Sequence, residues 1–192
     1  PLLAFNKKVF KSGSRLDKSC SFYLANELKV GDSLLMPKTI GTFGTYNEPD
    51  AYLLGALFGD GSFSGNQCVT LSICTEEEYA YYSSKYDLGI SKLSKGDNTY
   101  AQLYFRKLHP LLEKYGMDKK AFGKKTFPNN IYEWDKESVC NFLGGYFNAD
   151  GNVQITKVKH RTIKLTSKYE EHLLMVQSLL NKLGITSYIL KE

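Results

Sequence analysis

Two rhythms of hydrophobic residues run through this chain, and each occurs twice. Residues 47–61 and 135–151 are apolar nearly all round, which for a helix means burial on more than one side. Behind each comes a β-rich stretch, residues 62–73 and 152–165, where alternation gives the strand period of two. A helical stretch then opens with acids, Glu76-Glu77 in one copy and Glu170-Glu171 in the other, and each closes on Leu-Gly-Ile, at 88–90 and 183–185. Acids in a first turn suit the helix dipole, and Gly is the expected residue just past a helix end. Each unit therefore reads helix, β-hairpin, helix, strand. The first copy goes on to a further strand over 99–106 and a helix around 109–115.

The two apolar segments match in detail. Each ends in Asp-Gly, at 60–61 and 150–151, an offset of 150 − 60 = 90. Asn47 with Pro49 in the first turn, and Asp135 as an N-cap, are the expected helix starts. Small residues recur four apart, at Gly55 and Gly59 and again at Gly145 and Ala149. Residues at i and i+4 share a face, and a face without side chains lets another backbone approach closely. Glycine costs about 1 kcal/mol inside a helix relative to alanine, so packing must offset it. The simplest partner for one small-residue face is the other. Paired side by side in one direction, the helices bring Asp60 and Asp150 together.

Two adjoining carboxylates repel, and each has a raised pKa unless something positive lies between them. A divalent cation fills that role, and Asp is a hard oxygen ligand suited to Mg²⁺. Gly61 and Gly151 leave room for backbone carbonyls and for a phosphate, which makes them candidate members of the cation site. Phosphodiester hydrolysis uses such a cation to activate water and to stabilise the leaving oxygen. A lone Asp-Gly after an apolar helix is an ordinary turn. Two of them, ending two matching glycine-containing helices, point to a site.

Leu53-Leu-Gly-Ala-Leu-Phe-Gly-Asp-Gly61 and Leu143-Gly-Gly-Tyr-Phe-Asn-Ala-Asp-Gly151 resemble the LAGLIDADG signature. The resemblance extends over residues 50–190. It implies an α+β fold of two pseudo-symmetric αββαββα repeats, with the motif helices at the pseudo-twofold interface and the sheets forming a saddle over the DNA major groove. By comparison with the first repeat, the second is expected to be truncated, without the last strand, terminal helix and following loop. The resemblance further implies a homing endonuclease that cuts a long, near-palindromic site in double-stranded DNA. Asp60 and Asp150 would bind Mg²⁺, with Mn²⁺ able to substitute, and the chain would act as a monomeric pseudo-dimer. Family members place a basic residue in a Lys-x-aliphatic-Pro stretch ahead of the second motif. Lys125-Thr-Phe-Pro128 is similar, with Phe for the aliphatic residue, which makes Lys125 the third candidate catalytic residue and Lys124 its competitor.

The repeats are expected over 46–132 and 133–192. Residues 1–45 lie outside them. There Ala25-Asn-Glu-Leu-Lys-Val-Gly-Asp32, followed by Leu34-Leu-Met-Pro37, resembles a strand segment of intein splicing domains. The chain thus resembles the endonuclease region of an intein, with the remainder of the intein as a possible partner. No N-terminal nucleophile or C-terminal His-Asn is present, so splicing by this chain alone is not expected.

Charge sharpens the choice of partner. The formal net charge is +5, but its distribution is uneven. Residues 1–40, 89–127 and 152–192 carry +4, +6 and +4, while 41–88 and 128–151 carry −6 and −3. Basic blocks suit a polyanion and acidic ones a cation. The hairpins after each motif are the expected reading surfaces, with Gln67, Lys92 and Arg106 as DNA-contact candidates in the first repeat. In the second they are Gln154, Lys157, Lys159, Arg161 and Lys164. Which hairpin face meets DNA is open at this stage. The four cysteines form no CxxC pair and the three histidines no HxxxH pattern, so neither type is expected as a ligand set. No apolar run reaches a membrane span, and no signal-peptide pattern opens the chain. The expectation is a cytoplasmic protein, or one found wherever the host DNA resides. An RNA-binding maturase and a catalytically inactive DNA-binding fragment are the alternatives, and retention of both aspartates favours cleavage.

Overall fold

The computed structural model describes residues 2–5, 20–30, 33–34, 41–64, 68–94, 100–105, 107–117, 125–155 and 161–190. The chain divides into two compact units, residues 1–40 and 41–192. In the first, β1 (Leu2–Phe5), β2 (Cys20–Tyr23) and β3 (Ser33–Leu34) form an antiparallel sheet in the order β2-β1-β3. In the segment resembling splicing domains, the described residues include a 3-10 turn at Ala25–Glu27 and a strand at Ser33–Leu34. The turn is closed by the Leu24 N–H, which donates to the Glu27 carboxylate at 2.7 Å.

The second unit is an α+β fold in which helix, hairpin and helix occur twice. The first copy comprises α1 (Ala51–Asp60), β4 (Gly61–Ser64), β5 (Cys68–Ile73), α2 (Glu76–Ser83), β6 (Leu88–Ser94), β7 (Tyr100–Phe105) and α3 (His109–Lys114). The second comprises α4 (Lys136–Asp150), β8 (Gly151–Ile155), β9 (Arg161–Leu165) and α5 (Glu170–Lys182). The first copy builds a four-stranded antiparallel sheet, β4-β5-β7-β6, and the second a two-stranded hairpin, β8-β9. Among the described residues, no helix is long and apolar enough to cross a membrane.

The helix starts differ from expectation in one copy. Asp135 caps α4 as its side-chain chemistry predicts: it accepts from the Ser138 N–H at 2.7 Å. That backbone bond, with the Asn47 amide as a further donor, pulls its carboxyl below the usual range. Asn47, however, caps nothing. α1 begins at Ala51 with Asp50 as the N-cap, and the Asn47 amide donates instead to Asp135 at 3.1 Å. A turn organised by Glu48 intervenes, with the Ala51 N–H on the Glu48 carbonyl and the Asp50 N–H on its carboxylate.

The shared Leu-Gly-Ile tripeptide also has two fates. Gly184 sits at φ +78 after α5, with Ile185 N–H bonded to Leu180 O and Gly184 N–H to Asn181 O, the Schellman pattern. Leu88-Gly89-Ile90 instead opens β6, because α2 has already ended at Ser83.

The core runs along both motif helices. Leu53, Leu54, Leu57 and Phe58 of α1, and Phe142, Leu143 and Tyr146 of α4, are all buried. A parallel bridge sets the two helices level: Tyr46 N–H donates to Glu133 O, and Asp135 N–H to Tyr46 O at 2.8 Å. Glu48 N–H then donates to Ser138 Oγ at 2.8 Å. The Glu48 carboxylate, 3% exposed, takes the Tyr115 hydroxyl, tying α3 to the same junction.

Candidate active site

The two motif helices meet backbone to backbone. A Cβ added at Gly55 would lie 2.0 Å from the Phe142 carbonyl oxygen, and one at Gly145 would lie 2.1 Å from that of Tyr52. Tyr52 and Phe142 are 90 apart in sequence, as are Gly55 and Gly145, so the contact is reciprocal about a pseudo-twofold axis. Near the C-terminal ends, a Cβ on Gly59 would meet Ala149 Cβ at 2.4 Å and would lie 3.5 Å from Asp150 Oδ2. N-terminal parts touch N-terminal parts and C-terminal parts touch C-terminal parts, so α1 and α4 run parallel. Asp60 and Asp150 end the two helices there.

The backbone itself requires glycine at Gly61 and Gly151. Each has extended dihedrals while its N–H still closes the helix, on Leu57 O and Phe147 O respectively. A Cβ at either position would stand 2.3 Å from that same carbonyl. Glycine lets the chain turn from helix to strand within one residue, and it fixes where each aspartate points.

Burial raises the pKa of both aspartates, and the charge of Asp150 raises Asp60 further. Lys125 opposes the rise at both carboxylates, so one ammonium serves the pair. Its Nζ donates to the Gly59 carbonyl. The stretch after it is anchored by packing: Phe127 lies 4.5 Å from the Phe58 ring and 5.5 Å from that of Phe142, and Thr126 donates to Gly116 O. The departure from an aliphatic residue at this position is thus an aromatic ring seated between the two motif helices. Lys124 lies outside the described residues.

Two further residues at this site carried no weight in the sequence. Glu78 and His172 each occupy the third position of the helix after a hairpin, α2 and α5. Glu78 pushes the Asp60 pKa up, while His172 draws that of Asp150 down. Thr75-x-x-Glu78 is a capping box, with the Thr75 side chain accepting from the Glu78 N–H and the Glu78 carboxylate from the Thr75 N–H. That pattern was legible in the sequence; the place of His172 was not.

Among the described residues no cluster of three or more His, Cys, Asp or Glu side chains could hold a metal ion. Two carboxylates suffice for a cation of the Mg²⁺ kind, which binds through one or two of them together with water and substrate phosphate. Their mutual repulsion and hard oxygen donors fit such an ion.

The hairpins sort the DNA-contact candidates by face. Cross-strand pairs put Asn152, Gln154, Thr162 and Lys164 on one face of β8-β9. Arg161, paired with Ile155, shares the other face with Val153 and Ile163. In the first sheet Ser62, Thr70, Ser72, Gln102 and Tyr104 share a polar face, and Val69, Leu71, Ile73, Ala101, Leu103 and Phe105 form a buried one. Lys92 falls at the irregularity in β6 between Ser91 and Leu93. Gln67, Arg106, Lys157 and Lys159 lie outside the described residues.

Residues 137–192, which begin in α4 and include Asp150, match the family model of the LAGLIDADG-like domain. That segment is LAGLIDADG-like. The reciprocal contact of α1 with α4 makes residues 51–61 the counterpart of that segment's own motif. The chain is also 31% identical, over 189 residues, to the protein named ribonucleoside-diphosphate reductase NrdEB subunit alpha in Bacillus subtilis (strain 168). The protein of the same name in Bacillus phage SPbeta gives the same figures. The match takes in 85% of this chain but 17% of those relatives, so the chain spans about a sixth of their length. Similar solved structures include mesophilic variants of the homing endonuclease I-DmoI, at 19% identity and TM-score 0.46, covering 71% of this chain and 77% of that one. A variant of I-DmoI in complex with its target DNA and Mn is 20% identical at TM-score 0.45, covering 71% and 76%.

Proposed function

We propose that this chain is a LAGLIDADG site-specific DNA endonuclease of the homing type, hydrolysing phosphodiester bonds in a long, near-palindromic duplex with Mg²⁺. The observation that carries the reading is the meeting of Asp60 and Asp150, from two matching helices, beside the ammonium of Lys125. Asp60 and Asp150 hold the cation, with the carbonyls of Gly61 and Gly151 next to them in the chain. That ion supplies Lewis-acid chemistry for hydrolysis when bound, and Mn²⁺ substitutes for it. Lys125 faces charge that develops on the phosphate, an interaction worth most where donors are held rigidly and water is excluded. The polar faces of the two sheets, Ser62, Ser72 and Gln102 in one and Asn152, Gln154 and Lys164 in the other, carry donors and acceptors suited to base edges in the major groove. Because both motif helices belong to one chain, it acts as a monomer, in the cytoplasm or wherever the host DNA resides.

The intein reading is supported by the curated relatives. A LAGLIDADG segment matching 17% of a chain named for a reductase has the arrangement of an element housed inside a host protein. The separate β-unit of residues 1–40 is then part of the splicing domain, and the remainder of the intein is its partner.

The test is cleavage of a library of DNA duplexes in Mg²⁺, Ca²⁺ or EDTA, beside an Asp60→Asn, Asp150→Asn double variant. Cleavage in Mg²⁺ alone, lost in the variant, is the expected result. Binding in Ca²⁺ with no cleavage in Mg²⁺ would leave an inactive DNA-binding fragment. No DNA binding under any condition would overturn the proposal in favour of structured RNA.

A further inference from the structure

Among the described residues, His172 is a buried histidine whose ring reaches the active-site segment. It is 7% exposed and lies against Phe58, Phe127 and Tyr169, with ring centroids 4.8, 5.8 and 4.9 Å away. Nε2 is 3.1 Å from the backbone carbonyl of Lys125, and Nδ1 is 3.5 Å from Ser167 Oγ. A carbonyl only accepts, so Nε2 carries the proton. The Ser167 hydroxyl is the partner of Nδ1. Ser167 also bonds to Tyr146, one helical turn before Asp150.

A polar chain therefore runs from α4 through Ser167 and His172 to the Lys125 backbone. The side chain of Lys125 continues it to Gly59 O, next to Asp60. Packing alone would be served by a phenylalanine at position 172, where three aromatic rings already meet. The two ring nitrogens are what a hydrocarbon could not replace.

Resting on the nuclease reading of Lys125, we infer that His172 is a positioning residue. Its Nε2–H holds the Lys125 carbonyl and so sets the ammonium against the two aspartates. The ring itself touches neither substrate nor cation. Displacement of a catalytic group by about 1 Å costs on the order of a hundredfold in rate, so a residue that controls one backbone carbonyl has leverage on turnover without affecting DNA affinity.

Three variants separate these roles. The amide nitrogen of Gln reaches the position of Nε2, that of Asn only the position of Nδ1, and Phe keeps the ring without either nitrogen. His172→Phe and His172→Asn are expected to cut single-turnover cleavage by roughly ten- to a hundredfold while DNA binding in Ca²⁺ stays unchanged. His172→Gln is expected to recover most of the rate. In a Lys125→Met background, His172→Phe should cost little more. Hydrogen–deuterium exchange on the DNA-free protein gives a readout independent of cleavage. Exchange over residues 125–131 should quicken in the Phe and Asn variants and stay close to wild type in the Gln variant. If the wild type cleaves nothing but the exchange pattern holds, the nuclease reading fails and the positioning contact stands. The inference is overturned if exchange over 125–131 is unchanged in all three. It is equally overturned if His172→Phe cleaves like wild type, or if its loss is as large without Lys125 as with it.

Discussion

Gly144 and Gly145 are neighbours in α4, yet alanine should have opposite effects at the two. At Gly144, which is exposed, a Cβ would find only the Tyr52 ring, with its nearest atoms at 3.9 Å. That is ordinary contact, and removing a mid-helix glycine is worth up to about 1 kcal/mol. At Gly145 the same Cβ would stand 2.1 Å from Tyr52 O and 2.8 Å from Ala56 N. To reach even 3.0 Å from the carbonyl, α1 and α4 must separate by 0.9 Å or more, and no rotamer change relieves a clash with backbone. Overpacking a tight core costs about 1–3 kcal/mol, and this contact belongs at the upper end. Subtracting the propensity gain of about 1 kcal/mol leaves a net loss of about 2 kcal/mol, so the two variants should differ by about 3 kcal/mol. Urea unfolding followed by circular dichroism resolves such a gap with ease, since the midpoint moves at constant slope. Equal stability of the two variants, or a Gly145→Ala protein more stable than wild type, would refute the argument that backbone contact between the helices requires glycine there.

Because Asp60 and Asp150 titrate above their ordinary value of 3.8 in the folded chain, the metal-free protein should lose stability as pH rises from that value through the folded ones. Asp150→Asn should then raise the melting temperature at neutral pH without metal, and Mg²⁺ should raise that of the wild type but not of the double Asn variant. Calorimetry showing no response to either change would contradict the pairing of the carboxylates. Glu48→Ala leaves the Tyr115 hydroxyl and the Asp50 N–H without their carboxylate partner at a buried junction. Tyr115 keeps Tyr46 and Lys114 as partners, so a loss of about 1–3 kcal/mol is expected, mainly from the stranded Asp50 N–H, measured by the same urea titration; a loss under about 0.5 kcal/mol would show that water replaces the carboxylate.

The helix pair and its two aspartates were legible in the sequence because internal repetition reports relative position as well as local structure. An offset of 90 between Asp60 and Asp150 is a statement about symmetry, and parallel packing follows once both helices bear small residues at matching places. What local signals could not convey is how each end is finished. Asn47 and Pro49 look like a helix start, but the buried Glu48 draws the chain into a turn, and α1 opens only at Ala51. Leu-Gly-Ile ends one helix and begins one strand, because α2 has 8 residues and α5 has 13. His172 had no motif to announce it; its role depends on a carbonyl 47 residues away in sequence.

The hairpins show the same limit from the side of function. Alternation tells which residues of one strand share a face, but not the register between β8 and β9, so Gln154, Arg161 and Lys164 could be grouped only after that register was known. With Ile155 opposite Arg161 and Gln154 opposite Thr162, Gln154 and Lys164 fall on the polar face and Arg161 among Val153, Ile155 and Ile163. Those three aliphatic side chains are 62%, 65% and 69% exposed, whereas Val69, Leu71 and Ile73 on the apolar face of the first sheet are at most 3% exposed. Burial is decided by what packs on a face, and in the first repeat β7 extends the sheet that the core covers. A duplex read through the polar face of the second hairpin would meet Asn152, Gln154, Thr162 and Lys164 together. Arg161 would then contribute charge from the far side only, through the long-range field that salt screens first.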